Sequence, residues 1–389
     1  METKEAVYMD HAATSGLHPV AFEAMRPYFL EQYGNPSSLH QFGREAKKAV
    51  VAARQTIASL LSASPASVLF TSGGTESINL ALFGYVRQYG RPGAHIITTE
   101  IEHHAVAHAI SELEQEGYRV TRLPVNQSGV VSVEAIKRVL TDDTVLVSIM
   151  YANNETGALA PVPEIGRLLK GHPAVFHTDA VQAASSCLLD VDALGVDLMS
   201  ISSHKVNGPK GVGCLYVRNG IVLKPLLYGG EQEQKRRAGT EDVPGIVGFA
   251  KAFAITTKEQ NIRKQHYMTL RQALLTILAR EGVSYEINGT SERTLAHILN
   301  IHFPKVKTET LLAQLDLAGI AVSGGSACTA GTLEPSHVLQ SMYGKQSPRV
   351  QGSIRISFGY TNTCAEATYV GTMLAKYVRQ AQVDEPFIQ

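Results

Sequence analysis

Hydrophobic side chains recur along this chain with two different periods. Within residues 17–63 the apolar positions Ala46, Val50, Ala53, Ile57, Leu60 and Leu61 return every three or four residues, the spacing of one helix face. A turn at Gly34-Asn35-Pro36-Ser37-Ser38 interrupts this largely helical region. From residue 68 onward, short apolar runs at 68–70, 95–98, 120–123, 145–150, 175–177 and 198–201 read as buried strands, with helix-length segments such as 76–88 and 105–116 between most of them. Repeated strand–helix–strand units predict a largely parallel sheet covered by helices, and residues 213–217 add one more strand, of antiparallel sense.

The pattern changes around Thr256. Residues 261–280 form an amphipathic helix with Tyr267, Leu270, Leu274, Ile277 and Leu278 on one side, followed by strands at 297–302, 320–322 and 353–357 and helices near 308–317 and 364–379. The expected architecture is α/β, with a large domain over 15–257 and a smaller α/β domain built from 1–14 and 258–389. No internal repeat or low-complexity tract is present, and the polar stretch 383–389 is expected to fray.

Composition narrows the field. The 389 residues, 44% of them hydrophobic, suffice for more than one core. Lys+Arg and Asp+Glu both number 35, which argues against bulk nucleic acid or an anionic membrane as partner. The start lacks the apolar core of a signal peptide, and no run is long enough to span a bilayer, so a cytoplasmic protein is expected. Cys187, Cys214, Cys328 and Cys364 show neither metal-ligand spacing nor a disulfide framework, and no metal is expected.

Several strands end in residues with chemistry to offer. Lys205 follows the 198–201 run and a Ser-Ser-His, just before a Gly-Pro break, where open α/β sheets bind ligands. A lysine desolvated there can attack a carbonyl to form a Schiff base; taken alone, it reads as an exposed loop lysine, and the company of the other motifs reverses that reading. Thr71-Ser72-Gly73-Gly74-Thr75-Glu76 opens a helix and suits a single phosphate, lacking a P-loop lysine, or else is a plain strand-to-helix turn. Asp179 ends another strand and either caps the next helix or holds a proton on a pyridine-type nitrogen. Glu102-His103-His104 and Tyr151-Ala-Asn153-Asn154-Glu155 also follow strands; a histidine there can stack on a ring and an asparagine can bond a phenolic oxygen, or both are local caps and turns. Phosphate loop, aspartate and Schiff-base lysine together are what pyridoxal phosphate requires. Cys328, within a run of small residues from Ser323 to Thr332, suits a loop nucleophile; the other cysteines, with His172, His297 and His302, read as structural.

In this order the motifs resemble the cysteine desulfurases, a branch of the class V aminotransferase-like, fold-type I pyridoxal-phosphate enzymes. The likeness runs from Tyr8-Met-Asp10-His-Ala-Ala-Thr14 through the Asn35 turn, the Thr71 loop, His103, Asn153-Asn154-Glu155, Asp179 and Lys205 to Arg237-Ala-Gly-Thr240, Gly325-Ser-Ala-Cys328 and Ser353-Ile-Arg355. The resemblance implies that Lys205 carries pyridoxal phosphate, with Asp179 on its ring nitrogen, His103 stacked on the ring, and Asn154 and Gln182 on its phenolic oxygen. Gly74, Thr75, Ser202 and His204 would hold the phosphate, joined by Thr240 from a second subunit of a homodimer. Arg355 would pair with the substrate carboxylate, assisted by Asn35 and Asn154. L-Cysteine would become L-alanine, with Lys205 and His103 moving protons and Cys328 taking the sulfur as a persulfide. The Cys328 loop is similar to the long, mobile group I form, which suits delivery to a sulfur-acceptor protein in iron–sulfur assembly or tRNA thiolation.

Two departures accompany the likeness: Ser203 stands where the family commonly has glycine, and Gly324-Gly325 stands where it commonly has Ser-Gly; Ser203 is expected to add a side chain beside the phosphate site. Alternative readings are a selenocysteine lyase or another class V lyase or aminotransferase, and a partner-docking scaffold with structural cofactor. Lys235-Arg236-Arg237 reads as a solvated or phosphate-facing loop rather than a nucleic-acid patch.

Overall fold

The computed structural model describes residues 6–289, 292–324 and 334–383. In chain order, strand β1 (Val7–Tyr8) precedes helices α1 (Pro19–Met25), α2 (Pro27–Leu30) and α3 (Gln41–Leu60). Alternation then sets in: β2 (Val68–Thr71), α4 (Gly74–Tyr89), β3 (His95–Thr99), α5 (His104–Gln115), β4 (Arg119–Leu123), α6 (Val133–Val139), β5 (Thr144–Ser148), α7 (Val162–Leu169), β6 (Val175–Asp179), α8 (Val191–Leu194), β7 (Leu198–Ser202) and β8 (Gly213–Val217). After α9 (Val243–Arg280) come β9 (Glu286–Ile287), β10 (Ile298–His302), α10 (Thr308–Leu317), β11 (Ile320–Ala321), α11 (His337–Tyr343), β12 (Ser353–Ser357) and α12 (Cys364–Val383).

Seven strands form one sheet in the order β2-β8-β7-β6-β5-β3-β4. Only β8 runs antiparallel, to both β2 and β7, so β2 points the same way as the rest. Successive strand side chains point to opposite faces, and both faces here are apolar. Leu69, Ile96, Leu146, Leu198 and Leu215 pack with Ile78, Leu82, Val106 and Ile110 of α4 and α5. Phe70, Ile97, Val147, Phe176 and Met199 pack on the other face with Val50 and Ile57 of α3 and Phe249 and Phe253 of α9. The C-terminal ends of β2, β3, β5, β6 and β7 therefore share one edge, where open α/β sheets bind their ligands.

A second core is built on β10, which pairs antiparallel with β12 and β9. It buries Leu299, Ile301, Ile354 and Ile356 against Leu270 and Leu274 of α9 and Val370 and Leu374 of α12. The N-terminal segment joins it: β1 pairs parallel with β11, and Val7 and Met9 are buried there. The helix expected from residue 261 begins at Val243, with Asp242 accepting the Gly245 N–H as N-cap. Its first turns are buried on several sides, at Val243, Ile246, Phe249, Ala250 and Phe253, and so lack the amphipathic stripe that marks a helix in sequence. The expected boundary at 257–258 lies inside this helix, between Phe253 in the first core and Tyr267 in the second.

Candidate active site

Along the shared sheet edge, five strand ends and the segment after β1 enclose a cavity of about 250 Å³. Gly74, Thr75, His103, Asn154, Asp179, Gln182, Ser202, His204, Lys205 and Arg355 all line it. They arrive on six separate pieces of chain, which is why the sequence motifs lie so far apart.

Lys205 closes a single 3-10 turn, Ser203–Lys205, directly after β7. Its Nζ donates to the carbonyl oxygens of Ala12 and Ala13, at 2.6 Å each. Burial, helped by the charge of Arg355, pushes its ammonium down to about 7, against the opposing pull of Asp10 and Asp179. A substantial neutral fraction at pH 7 is what a nucleophilic amine needs.

Asp179 ends β6, is 5% exposed, and accepts the Val181 N–H at 2.9 Å. It is thus both a local cap and a cavity carboxylate. Burial raises its carboxyl to about 6, while that bond and Lys205 pull it back down. A cationic ring nitrogen would complete its neutralisation. His103 is the N-cap of α5, its Nδ1 accepting the Ala105 N–H at 3.1 Å, so the proton of its neutral ring sits on Nε2. Solvent reaches the ring at the cavity mouth, yet protein surrounds most of it, and burial followed by Lys205 pushes it down to about 4. Behind it, Glu102 is buried and accepts from Thr99 Oγ1 (2.6 Å) and the Met150 N–H (3.0 Å), fixing the β3–α5 loop against the end of β5.

Arg355, on β12, is 1% exposed and reaches across from the second core. Its Nη2 lies 2.8 Å from Asp10 Oδ1 and its Nη1 donates to Asn154 O at 2.8 Å. A buried guanidinium at the cavity wall offers bidentate recognition of a carboxylate. Gln182 donates from Nε2 to Ala12 O at 2.8 Å, and His204 Nδ1 lies 3.0 Å from Thr14 Oγ1.

The N-terminus of α4 faces the same space. Its N-cap, Gly73, has φ 148° and supplies no side-chain cap, leaving first-turn N–H groups for an anion. A Cβ on Gly74 would stand 2.9 Å from Val181 Cγ2, so only glycine lets the backbone line the cavity there. Lysine, buried aspartate, rim histidine and an uncapped helix start fit pyridoxal phosphate.

Other expected residues lie elsewhere. Asn35 is exposed, its Oδ1 folded back onto the Ser37 N–H at 2.9 Å, and it does not line the cavity. Thr240 is exposed and outside the cavity of its own chain. Cys328 and Gly325 lie outside the described residues. Ser203 does not stand beside the helix start as expected; its buried Oγ faces Gly208, where a Cβ would come within 2.1 Å of it. The sequence reading missed the Ala12 and Ala13 carbonyls and the Asp10 partner of Arg355, although all three lie inside the quoted Tyr8–Thr14 motif.

Comparison with known proteins agrees with this geometry. The class-V aminotransferase family pattern matches residues 7–370. The putative cysteine desulfurase IscS 1 of Bacillus subtilis (strain 168) is 49% identical over 376 residues, 97% of this chain and 99% of its own. A solved NifS-like protein superposes with a TM-score of 0.90 at 37% identity, covering 96% of this chain and 100% of its own. A structure described as SspA in complex with cysteine superposes with a TM-score of 0.79 at 32% identity, covering 90% and 98%. With such coverage at such identity, the chain belongs to the class-V aminotransferase family, in its cysteine desulfurase branch.

Proposed function

We propose that this enzyme holds pyridoxal phosphate on Lys205 and converts L-cysteine to L-alanine, passing the sulfur to Cys328. The observation that carries this is the single cavity shared by the Lys205 amine, the buried Asp179 and the uncapped start of α4. When bound, the cofactor supplies an electron sink for negative charge at the substrate Cα. Asp179 would keep a proton on its ring nitrogen, Asn154 and Gln182 would face its phenolic oxygen, and Gly74, Thr75, Ser202 and His204 would hold its phosphate. Arg355 binds the substrate carboxylate and so fixes which Cα substituent faces Lys205. The neutral Lys205 amine takes and returns the Cα proton, and the Nε2 face of His103, at the mouth, exchanges protons on the thiol side.

The net reaction balances: the substrate Cβ–S bond breaks, an S–S bond forms on Cys328 Sγ, and the two thiol protons are shared between the new Cβ–H and the persulfide. The persulfide is then available to a sulfur-acceptor protein. Among the described residues no helix is long and apolar enough to cross a membrane.

A homodimer is supported by the exposed apolar side chains clustered in one stretch of sequence: Phe29, Leu30, Tyr33, Leu39 and Phe42, with Leu30 at 79% and Leu39 at 91% exposure. A second copy covering this face accounts for them and lets Thr240 serve a neighbouring phosphate. The direct test is borohydride reduction of the yellow protein followed by peptide mapping, alongside alanine assay with L-cysteine. A pyridoxyl group on the Lys205 peptide and alanine release are expected; label elsewhere, or no alanine, would refute the proposal.

A further inference from the structure

Residues 231–240 fold back onto their own chain through two ion pairs, one to Arg54 of α3 beside the edge strand β2 and one to Glu76 of the helix that opens the anion cradle. Glu233 is buried, and its carboxylate takes Arg54 Nη1 (2.7 Å), Arg54 Nη2 (2.5 Å) and the Phe70 N–H (2.9 Å). Arg54 Nη1 also donates to Val68 O at 2.6 Å. Because β2 is the outer strand of the sheet, these groups satisfy its open edge. The clamp holds Glu233, Gln234 and Lys235 at φ 46°, 58° and 65°, three successive left-handed residues without a glycine among them. Such a run persists only where its surroundings fix it.

Just beyond, Arg237 Nε donates to Glu76 Oε1 at 2.8 Å and Nη2 to Oε2 at 3.3 Å, while Glu76 Oε2 accepts the Ser72 N–H at 2.7 Å. Glu76 lies in the first turn of α4 and borders the cleft formed by Ser72, Gly73, Thr75, Ser202, His204 and Lys210, which continues into the Lys205 cavity. A carboxylate beside a cleft meant for a dianion opposes binding unless a cation neutralises it and holds it turned away.

We infer that Arg237 and Glu76 are a positioning pair that sets the charge and shape of the cofactor's phosphate cradle without touching the phosphate, on a segment the Arg54–Glu233 clamp holds in place. This inference rests on reading the cavity as a pyridoxal phosphate site.

The test compares two probes on the full-length apoprotein: pyridoxal phosphate, and pyridoxal, which lacks the phosphate. Arg237→Ala should bind pyridoxal phosphate about tenfold more weakly and pyridoxal as the wild type does, because only the phosphate senses the uncovered carboxylate. Adding Glu76→Gln should restore most of that loss. Glu76→Gln alone, which leaves the surface intact and the Arg237 charge uncompensated, should hold pyridoxal phosphate more tightly than wild type. Equal weakening of both probes in Arg237→Ala, or phosphate affinity unchanged in all three variants, would overturn the positioning role. A wild type that binds neither probe would instead overturn the cofactor reading beneath it.

Discussion

Asp10 Oδ1 lies 2.8 Å from Arg355 Nη2, an ion pair that ties the segment after β1 to β12 behind the cavity wall that Arg355 lines. The two residues belong to opposite ends of the chain, yet Asp10 bridges to Ser357 of the same β12 that carries Arg355. Arg355 is therefore held in place before any substrate arrives. Such preorganisation lets a guanidinium meet a carboxylate without reordering itself.

Replacing Asp10 by asparagine leaves the shape but removes the charge that aims Arg355. KM for L-cysteine should rise about tenfold, with a smaller change in kcat, since the loss falls on carboxylate binding rather than on proton movement. Steady-state kinetics on L-cysteine decide this. A fall in kcat at unchanged KM would place Asp10 in the chemistry instead.

The Lys205 amine should show its depressed pKa in cofactor uptake. Only the neutral amine attacks a carbonyl, so the rate at which apoprotein takes up pyridoxal phosphate should climb with pH and level off above about 7. Asp10 acts to raise this pKa, so Asp10→Asn should move the inflection to lower pH. Stopped-flow absorbance across a pH series gives the curve. A rate still rising near pH 10 would show an ordinary, solvated lysine.

The Ser203–Gly208 contact should be visible in stability. Gly208→Ala would drive a methyl to within 2.1 Å of Ser203 Oγ, and overpacking of this kind costs about 1–3 kcal/mol. Ser203 Oγ is itself buried and has no hydrogen-bond partner among the described residues, so Ser203→Ala should be neutral or stabilising, by about 1 kcal/mol. Urea denaturation of the holoprotein measures both. A destabilised Ser203→Ala would mean that the hydroxyl has a partner worth keeping.

On the proposed homodimer, the exposed side chain of Leu39 should matter only in the assembly. Leu39→Asp should leave the fold of each chain intact, shift sedimentation toward monomer, and weaken cofactor retention if Thr240 of the partner subunit reaches the phosphate. Unchanged sedimentation would remove this face from the interface.

Much of this was legible in the sequence, and the exceptions have physical causes. Lys205, Asp179, His103 and Thr75 could be placed because each follows a short apolar run, and parallel strands bring their C-terminal ends to one edge. The first turns of α9 could not be read, because a helix buried on several sides shows no stripe. The Ala12 and Ala13 carbonyls that hold Lys205 are backbone groups, to which any residue type contributes alike. The direction of Ser203 was decided by the turn at Gly208, and Asn35 was claimed by its own turn, where its side chain serves the Ser37 N–H. Side-chain chemistry was readable; local turn geometry was not.

The measurement that bears most directly on the proposed chemistry is alanine and sulfide release from L-cysteine with excess thiol reductant, wild type against Cys328→Ala. Both proteins are first checked for the yellow colour of lysine-bound cofactor. Equimolar alanine and sulfide from the wild type, and almost none from an equally yellow Cys328→Ala, are expected if Cys328 accepts the sulfur. A yellow wild type that makes no alanine would contradict desulfuration itself, and a Cys328→Ala variant as fast as wild type would contradict the persulfide on Cys328.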